Sequence, residues 1–265
     1  MLYNVKENTL NLSDIQMDYI TFGYGTKPLI MIQGLNTNGI KGAGISLAFM
    51  YRIFAKDYKV YLFDRRTDIS CNITTEDMAK DIAAAMDSLN IINADILGVS
   101  MGGMIAQYIA INRPDLVHKL VLAVTLSHNN ETVTSVINNW VDLTVKEDYK
   151  TLVYDMAEKM YSEKYLKRYR PFIPLLTLLQ KPKDKQRFIT LAKACLTCST
   201  YENLNKIKCP VLVIGGGEDK IVGKKACTEI AEKIGCKSFV YDNLGHAVYE
   251  EAKDFNKKVY DFFRN

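Results

Sequence analysis

The stretch from Ile96 to Ala110 constrains this chain more than any other. An apolar run, Ile96-Leu97, ends in Gly98-Val99-Ser100-Met101-Gly102, and Met104-Ile105-Ala106-Gln107-Tyr108-Ile109-Ala110 continues at once with helical character. A strand that turns straight into a helix strains the residue at the corner and pushes its side chain clear of the sheet edge. Gly98 and Gly102 let neighbouring backbone pass close to that corner. The helix that follows aims its free N–H groups at the same place, where negative charge can be stabilised. Gly-x-Ser-x-Gly alone is common by chance; the strand before it and the helix after it make it informative.

The strand–helix alternation extends in both directions. Ile15 to Phe22 alternates loosely and predicts an antiparallel edge strand, ended by Gly23-Tyr24-Gly25. Pro28 to Gln33 and Lys59 to Phe63 are continuous apolar runs, the mark of strands buried on both faces. Helical spacing covers Ser46 to Phe54 and Met78 to Leu89; Thr74 or Thr75 caps the second helix, whose first turn carries Glu76 and Asp77. His118 to Val124 is a further strand. The pattern predicts an α/β fold with a mostly parallel central sheet and helices on both faces.

The alternation stops at Ser127 and resumes at Pro210. Residues 127–205 lack strand character, are rich in Tyr, and are interrupted by Pro171, Pro174 and Pro182. They predict a helical cap inserted into a core formed by residues 1–126 and 206–265. After it come a strand at Val211 to Ile214, a helix at Ala226 to Ile234, a strand at Lys237 to Tyr241, and one final helix burying Val248, Ala252, Phe255, Val259 and Phe262.

With 265 residues, 48% of them hydrophobic, the chain can bury a full core. A net charge of +4 is too small to argue for nucleic acid. Met1 to Glu7 has neither a basic flank nor an apolar core, and no run approaches membrane-spanning length, so the expected location is cytoplasmic, without membrane attachment. Reduced thiols are expected for Cys71, Cys195, Cys198, Cys209, Cys227 and Cys236. Cys195 and Cys198 form a C-x-x-C, but they sit in a helical pattern and no second pair completes a metal set; they read as packing residues. Neither a metal nor a cofactor is expected: Gly215-Gly216-Gly217 lacks the lysine and hydroxyl of a phosphate-binding loop.

A serine hydroxyl is a poor nucleophile at neutral pH and needs a base, which in turn needs an orienting carboxylate. Of the three histidines, His246 follows the last strand and precedes the last helix; His118, beside Lys119, reads as a surface residue, and His128 opens the cap. Asp219 follows the carboxyl end of a buried strand, where ligand groups of open α/β sheets gather. Glu218 is its rival, and Asp242 a more distant one.

Taken together, Gly98-Val99-Ser100-Met101-Gly102-Gly103, Gly216-Gly217-Glu218-Asp219-Lys220-Ile221-Val222 and Gly245-His246 with Glu250 resemble the nucleophile elbow, acid loop and histidine loop of the α/β-hydrolases. The likeness is to the lipase/esterase-like class with a helical cap, and it runs through nearly all the chain outside the cap. It implies a Ser100–His246–Asp219 triad, favours Asp219 over Glu218, and implies an oxyanion hole made by the backbone N–H groups of Leu35 and Met101. The chain departs from the family at two places. Gln33-Gly34 stands where the family has His-Gly, so hydrogen bonding around that loop must differ. Asp64-Arg65-Arg66-Thr67-Asp68-Ile69-Ser70 lacks both glycines of the family's D-x-R-G-x-G-x-S.

The resemblance implies hydrolysis of small carboxylic esters through an acyl-enzyme. Thioester, lactone and carbon–carbon bond hydrolysis use the same parts, and a receptor-type relative would instead bind a ligand and signal through its cap to a protein partner. Gln33, Gly34, Asn36, Trp140 and Tyr165 are the candidate substrate contacts, with Tyr149, Tyr154, Tyr161 and Tyr169 as further aromatics of the cap. Lys164-Tyr165-Leu166-Lys167-Arg168-Tyr169-Arg170, followed by Lys181, Lys183, Lys185 and Arg187, is either a solvated face or a surface for an acidic carrier protein or a carboxylate-bearing substrate.

Overall fold

The computed structural model describes residues 2–169, 177–178 and 180–265. Eight strands, β1 (Lys6–Asn11), β2 (Gln16–Phe22), β3 (Lys27–Ile32), β4 (Tyr58–Arg66), β5 (Ala94–Val99), β6 (Val117–Ala123), β7 (Val211–Gly216) and β8 (Lys237–Tyr241), form one sheet in the order β1-β2-β4-β3-β5-β6-β7-β8. The β1–β2 and β2–β4 pairs are antiparallel and the rest are parallel. Successive side chains point to opposite faces, so Ile30, Ile32, Ile96, Leu120 and Leu122 join one core while Leu29, Met31, Leu97, Val99 and Val121 join the other. Every residue of β5 is buried, Asp95 among them.

Helices cover both faces. One core is closed by α2 (Thr75–Ser88) and α3 (Met101–Asn112), the other by α1 (Gly44–Met50) and the C-terminal helix. Thr74, not Thr75, caps α2: its hydroxyl accepts from the Asp77 N–H, and the Asp77 carboxylate answers from the other side. Between β6 and β7 lie α4 (Glu131–Val145), α5 (Tyr149–Met160), α6 (Glu163–Tyr169) and α7 (Lys185–Ala194), with α4 packed on α5 and α7. Asn130, Asp148 and Asp184 cap α4, α5 and α7 by accepting from the backbone N–H three residues on. Arg170, Pro171 and Pro174 of the predicted cap, and the Tyr169 side chain, lie outside the described residues. No helix among the described residues is long and apolar enough to cross a membrane.

Three expectations are corrected. The Ile15–Phe22 segment is not the edge of the sheet, because β1 pairs outside it. Strand β1 is polar (Lys6-Glu7-Asn8-Thr9-Leu10-Asn11) and owes its extended form to its partner, with Leu10 opposite Met17 and the Thr9 hydroxyl donating to Asp18 at 2.6 Å. The Ser46–Phe54 helix ends at Met50 and gives way to a 3₁₀ turn at Arg52–Phe54. The final helix is two helices, α9 (Val248–Glu251, after α8 at Ala226–Ile234) and α10 (Phe255–Arg264), because Ala252 turns extended. The break resets the helical phase, so the buried stripe of α10 is Phe255, Val259 and Phe263 rather than Phe262.

Candidate active site

Ser100 stands at the corner between β5 and α3 with φ 53° and ψ −121°, a conformation ordinary residues avoid. Neighbours fix it: its N–H donates to Ala123 O at 2.9 Å, and its carbonyl accepts from the Thr125 hydroxyl at 2.8 Å. It caps α3 without a side-chain cap bond, which leaves Oγ uncommitted to the helix. The flanking glycines answer to crowding. A Cβ on Gly102 would sit 1.9 Å from Ile32 O, and one on Gly98 would sit 2.6 Å from Gly102 O. Because α3 begins at Met101, the Met101 N–H has no carbonyl four residues back within the helix.

Asp219, in the loop after β7, and His246, after β8, are each 3% exposed. Asp219 Oδ2 lies 2.7 Å from His246 Nδ1, while Oδ1 accepts from the N–H groups of Ile221 (2.8 Å) and Val222 (3.0 Å). Facing a carboxylate, Nδ1 carries the proton and Nε2 is left with its lone pair. The rival residues are elsewhere. Glu218 is exposed and pairs with Lys224 at 2.8 Å; that ammonium holds its carboxyl below the usual range. Asp242 is exposed. His118, expected at the surface, is half-buried with Nδ1 2.7 Å from the fully buried Asp95. His128 is exposed and meets the Tyr201 ring edge-on at 5.1 Å.

Ser100 and His246 line one cavity of about 40 Å³, walled mainly by apolar groups including Leu35, Met104, Ile137, Trp140 and Met160. Trp140 is buried there, its indole N–H donating to Asp155 at 2.7 Å. The loop after β3 forms another wall: a Cβ on Gly34 would lie 3.1 Å from Ser100 Cβ. Gln33 and Asn36 do not line this cavity; they line a second chamber of about 200 Å³ that shares Gly34, Leu35 and Tyr249 with it and includes Glu250. Glu250 is exposed and accepts from the Tyr161 hydroxyl at 2.6 Å. Tyr165 lines neither chamber and stacks on Tyr161 at 4.8 Å.

The residues of the basic stretches differ in their partners. Lys167 pairs with Glu163 and Lys185 with Glu147, both in exposed pairs, whereas Arg187 turns inward and donates to Arg66 O at 2.7 Å. Cys195 and Cys198 are buried free thiols pushed up to about 12 by burial, the opposite of an activated pair. Among the described residues no cluster of His, Cys, Asp and Glu is arranged to hold a metal. Two site neighbours carried no sequence signal: Tyr249, which walls both chambers, and Arg65, whose guanidinium meets the backbone of residues 33 and 34.

Comparison with known proteins places this geometry in context. The 3-oxoadipate enol-lactonase 2 of Acinetobacter baylyi is 22% identical over 249 residues, covering 90% of this chain and 87% of its own. The 2-hydroxy-6-oxononadienedioate/2-hydroxy-6-oxononatrienedioate hydrolase 2 of Pseudomonas putida is 25% identical over 273 residues, covering 95% and 93%. Among solved structures, an alpha/beta hydrolase enzyme from a Medee basin deep-sea metagenome library superposes with a TM-score of 0.88 at 19% identity, covering 97% of this chain and 98% of the other. The family model for the alpha/beta hydrolase fold matches residues 27–253, from the start of β3 to beyond the histidine loop. With the sheet order, the strained serine corner and this match in agreement, the chain belongs to the α/β-hydrolase family.

Proposed function

We propose that the protein is a serine hydrolase that cleaves short-chain carboxylic esters through an acyl-enzyme. The observation that carries this reading is the shared cavity: Ser100 and His246 open into it together, and Asp219 holds the imidazole from behind at 2.7 Å. In this reading Ser100 Oγ attacks the ester carbonyl carbon as His246 Nε2 takes its proton. The negative oxygen of the tetrahedral intermediate is held by the N–H groups of Leu35 and Met101. As the C–O bond breaks, the alkoxide leaves with the proton from Nε2. Water then attacks the acyl carbon by the same route and frees Ser100.

The size of the cavity beside Ser100 favours a small acyl group. At about 40 Å³ it has room for only a few water-sized groups, at roughly 10–15 Å³ each. Steady-state and burst kinetics with p-nitrophenyl acetate, butyrate and octanoate, beside Ser100→Ala, test the reading. Multiple turnover that is lost in Ser100→Ala and is fastest on acetate is expected. Multiple turnover in Ser100→Ala would end it, and one equivalent of p-nitrophenol followed by silence would favour ligand sensing.

A lactone is an ester whose alcohol stays tethered, and the relative from Acinetobacter baylyi is named as an enol-lactonase. The same residues serve that reaction, and a panel of small lactones run beside the esters separates the two.

A further inference from the structure

The geometry points to Arg65 as a positioning residue that aims the Leu35 amide into the Ser100 cavity. This rests on the ester-hydrolase reading above for its consequence, though not for its geometry. Strand β4 lies parallel to β3 with Phe63 opposite Ile32, so residue 65 comes level with the loop that follows β3. There a single nitrogen, Arg65 Nη2, donates to two successive carbonyls, those of Gln33 and Gly34, the latter at 3.1 Å.

The consequence follows from peptide geometry. In a planar trans peptide the C=O and the next residue's N–H point in opposite directions. Holding Gly34 O therefore turns the Leu35 N–H away from the guanidinium, and holding Gln33 O does the same for the Gly34 N–H. Arg65 lines neither chamber, whereas Leu35 lines both and Gly34 lies against Ser100, so the direction away from Arg65 is the direction of the cavity. Without the clamp, Gly34 is free to rotate the peptide units on either side of it.

Arg65 is 3% exposed, and Nη2 alone of its guanidinium nitrogens donates to a protein group. Asp64, its neighbour, is committed elsewhere, accepting from the Ile40 N–H at 3.2 Å and the Arg65 N–H at 2.8 Å and facing Arg187 at 3.8 Å. Burying a guanidinium opposes folding, and the charge of Asp64 offsets part of that cost. Its hydrogen bonds go to two peptide groups beside the nucleophile.

The test is Arg65→Met, close in length and apolar, with Arg65→Gln as the polar alternative should the first fail to fold. Three readouts are taken: thermal unfolding, kinetics with p-nitrophenyl acetate together with phenylboronic acid inhibition, and a crystal structure of the variant. The boronic acid adds to Ser100 Oγ and places an oxygen where the oxyanion would sit. Expected are a folded variant with a kcat lower by about 10²-fold as for loss of one oxyanion donor, a KM within about threefold, and boronate affinity falling with kcat. The crystal structure should show the Gly34–Leu35 peptide rotated. An unrotated peptide in the folded variant overturns the proposal, as does an unchanged kcat. If wild type shows no Ser100-dependent turnover, the ester-hydrolase reading falls instead, and the peptide orientation in the variant still decides the role of Arg65.

Discussion

Replacing Asp219 by Asn tests the proposed triad at its hinge, and the structure dictates which way the amide will face. Asp219 Oδ1 accepts two backbone N–H groups, from Ile221 and Val222. An NH₂ group there would leave both donors unanswered, at roughly 1–3 kcal/mol each. The Asn carbonyl therefore stays with the loop, and the NH₂ points at His246 Nδ1, now 2.7 Å away from a donor rather than an acceptor. Nδ1 must give up its proton to accept that bond, so the proton moves to Nε2. The imidazole then presents an N–H to Ser100 and cannot take its proton. A wrong tautomer in a preserved site lowers kcat by about 10³–10⁴-fold, while KM stays within a few-fold and folding is retained. Steady-state p-nitrophenyl acetate hydrolysis, with circular dichroism to confirm the fold, measures this. Glu218→Gln is the control: its partner Lys224 is exposed, so turnover should be unchanged. Full activity in Asp219→Asn, or loss in Glu218→Gln alone, would refute the reasoning.

Three further outcomes are expected. Gly102→Ala should destabilise by about 3 kcal/mol or more, because its Cβ would meet the Ile32 carbonyl at 1.9 Å and neither partner is a side chain that can turn aside; urea unfolding measures it. Thr74→Ala should cost about 1 kcal/mol at neutral pH. The Thr74 hydroxyl also holds the Asp77 carboxyl below its usual range, so that part of the stabilisation is complete above about pH 4 and is lost as pH falls through the depressed value. The gap between wild type and variant should then narrow in acid without closing, since Thr74 still accepts from the Asp77 N–H at 3.1 Å. Iodoacetamide at neutral pH should label exposed Cys71 in the native protein but reach Cys195, Cys198 and Cys227, buried and held near 12, only after unfolding; peptide mass mapping reads the order.

Much of the fold was legible because its signals are local. The apolar runs of β3 to β7 sit in the middle of a sheet covered on both faces, and burial on both faces is what an unbroken apolar run reports. Strand β1 was not legible for the complementary reason: at the edge it buries little, and only its pairing with β2 makes it a strand. The C-terminal stripe was legible in period but not in phase, since one extended residue at Ala252 moves Phe263 inward and Phe262 partly out.

The same division holds in the candidate site. Ser100, Asp219 and His246 each stand at a strand's carboxyl end, and chain order with sheet order is enough to bring them together. What holds the loop after β3 has no such signature. Gln33-Gly34 shows that the usual side chain is missing but not what replaces it, and Arg65 reads in sequence as one more charge at the end of a strand. Its contact is with carbonyl groups, which every residue has, so no residue type at positions 33 and 34 marks them as its targets. Arg187 was hidden similarly: counted with the basic stretch, it too spends its guanidinium on backbone carbonyls, those of Arg66 and Thr67. Two buried or half-buried arginines thus fasten main chain, and side-chain pattern alone is blind to that kind of bond. The candidate nucleophile, base and acid are written in residue identity, whereas the shape of the wall facing them is written in backbone direction.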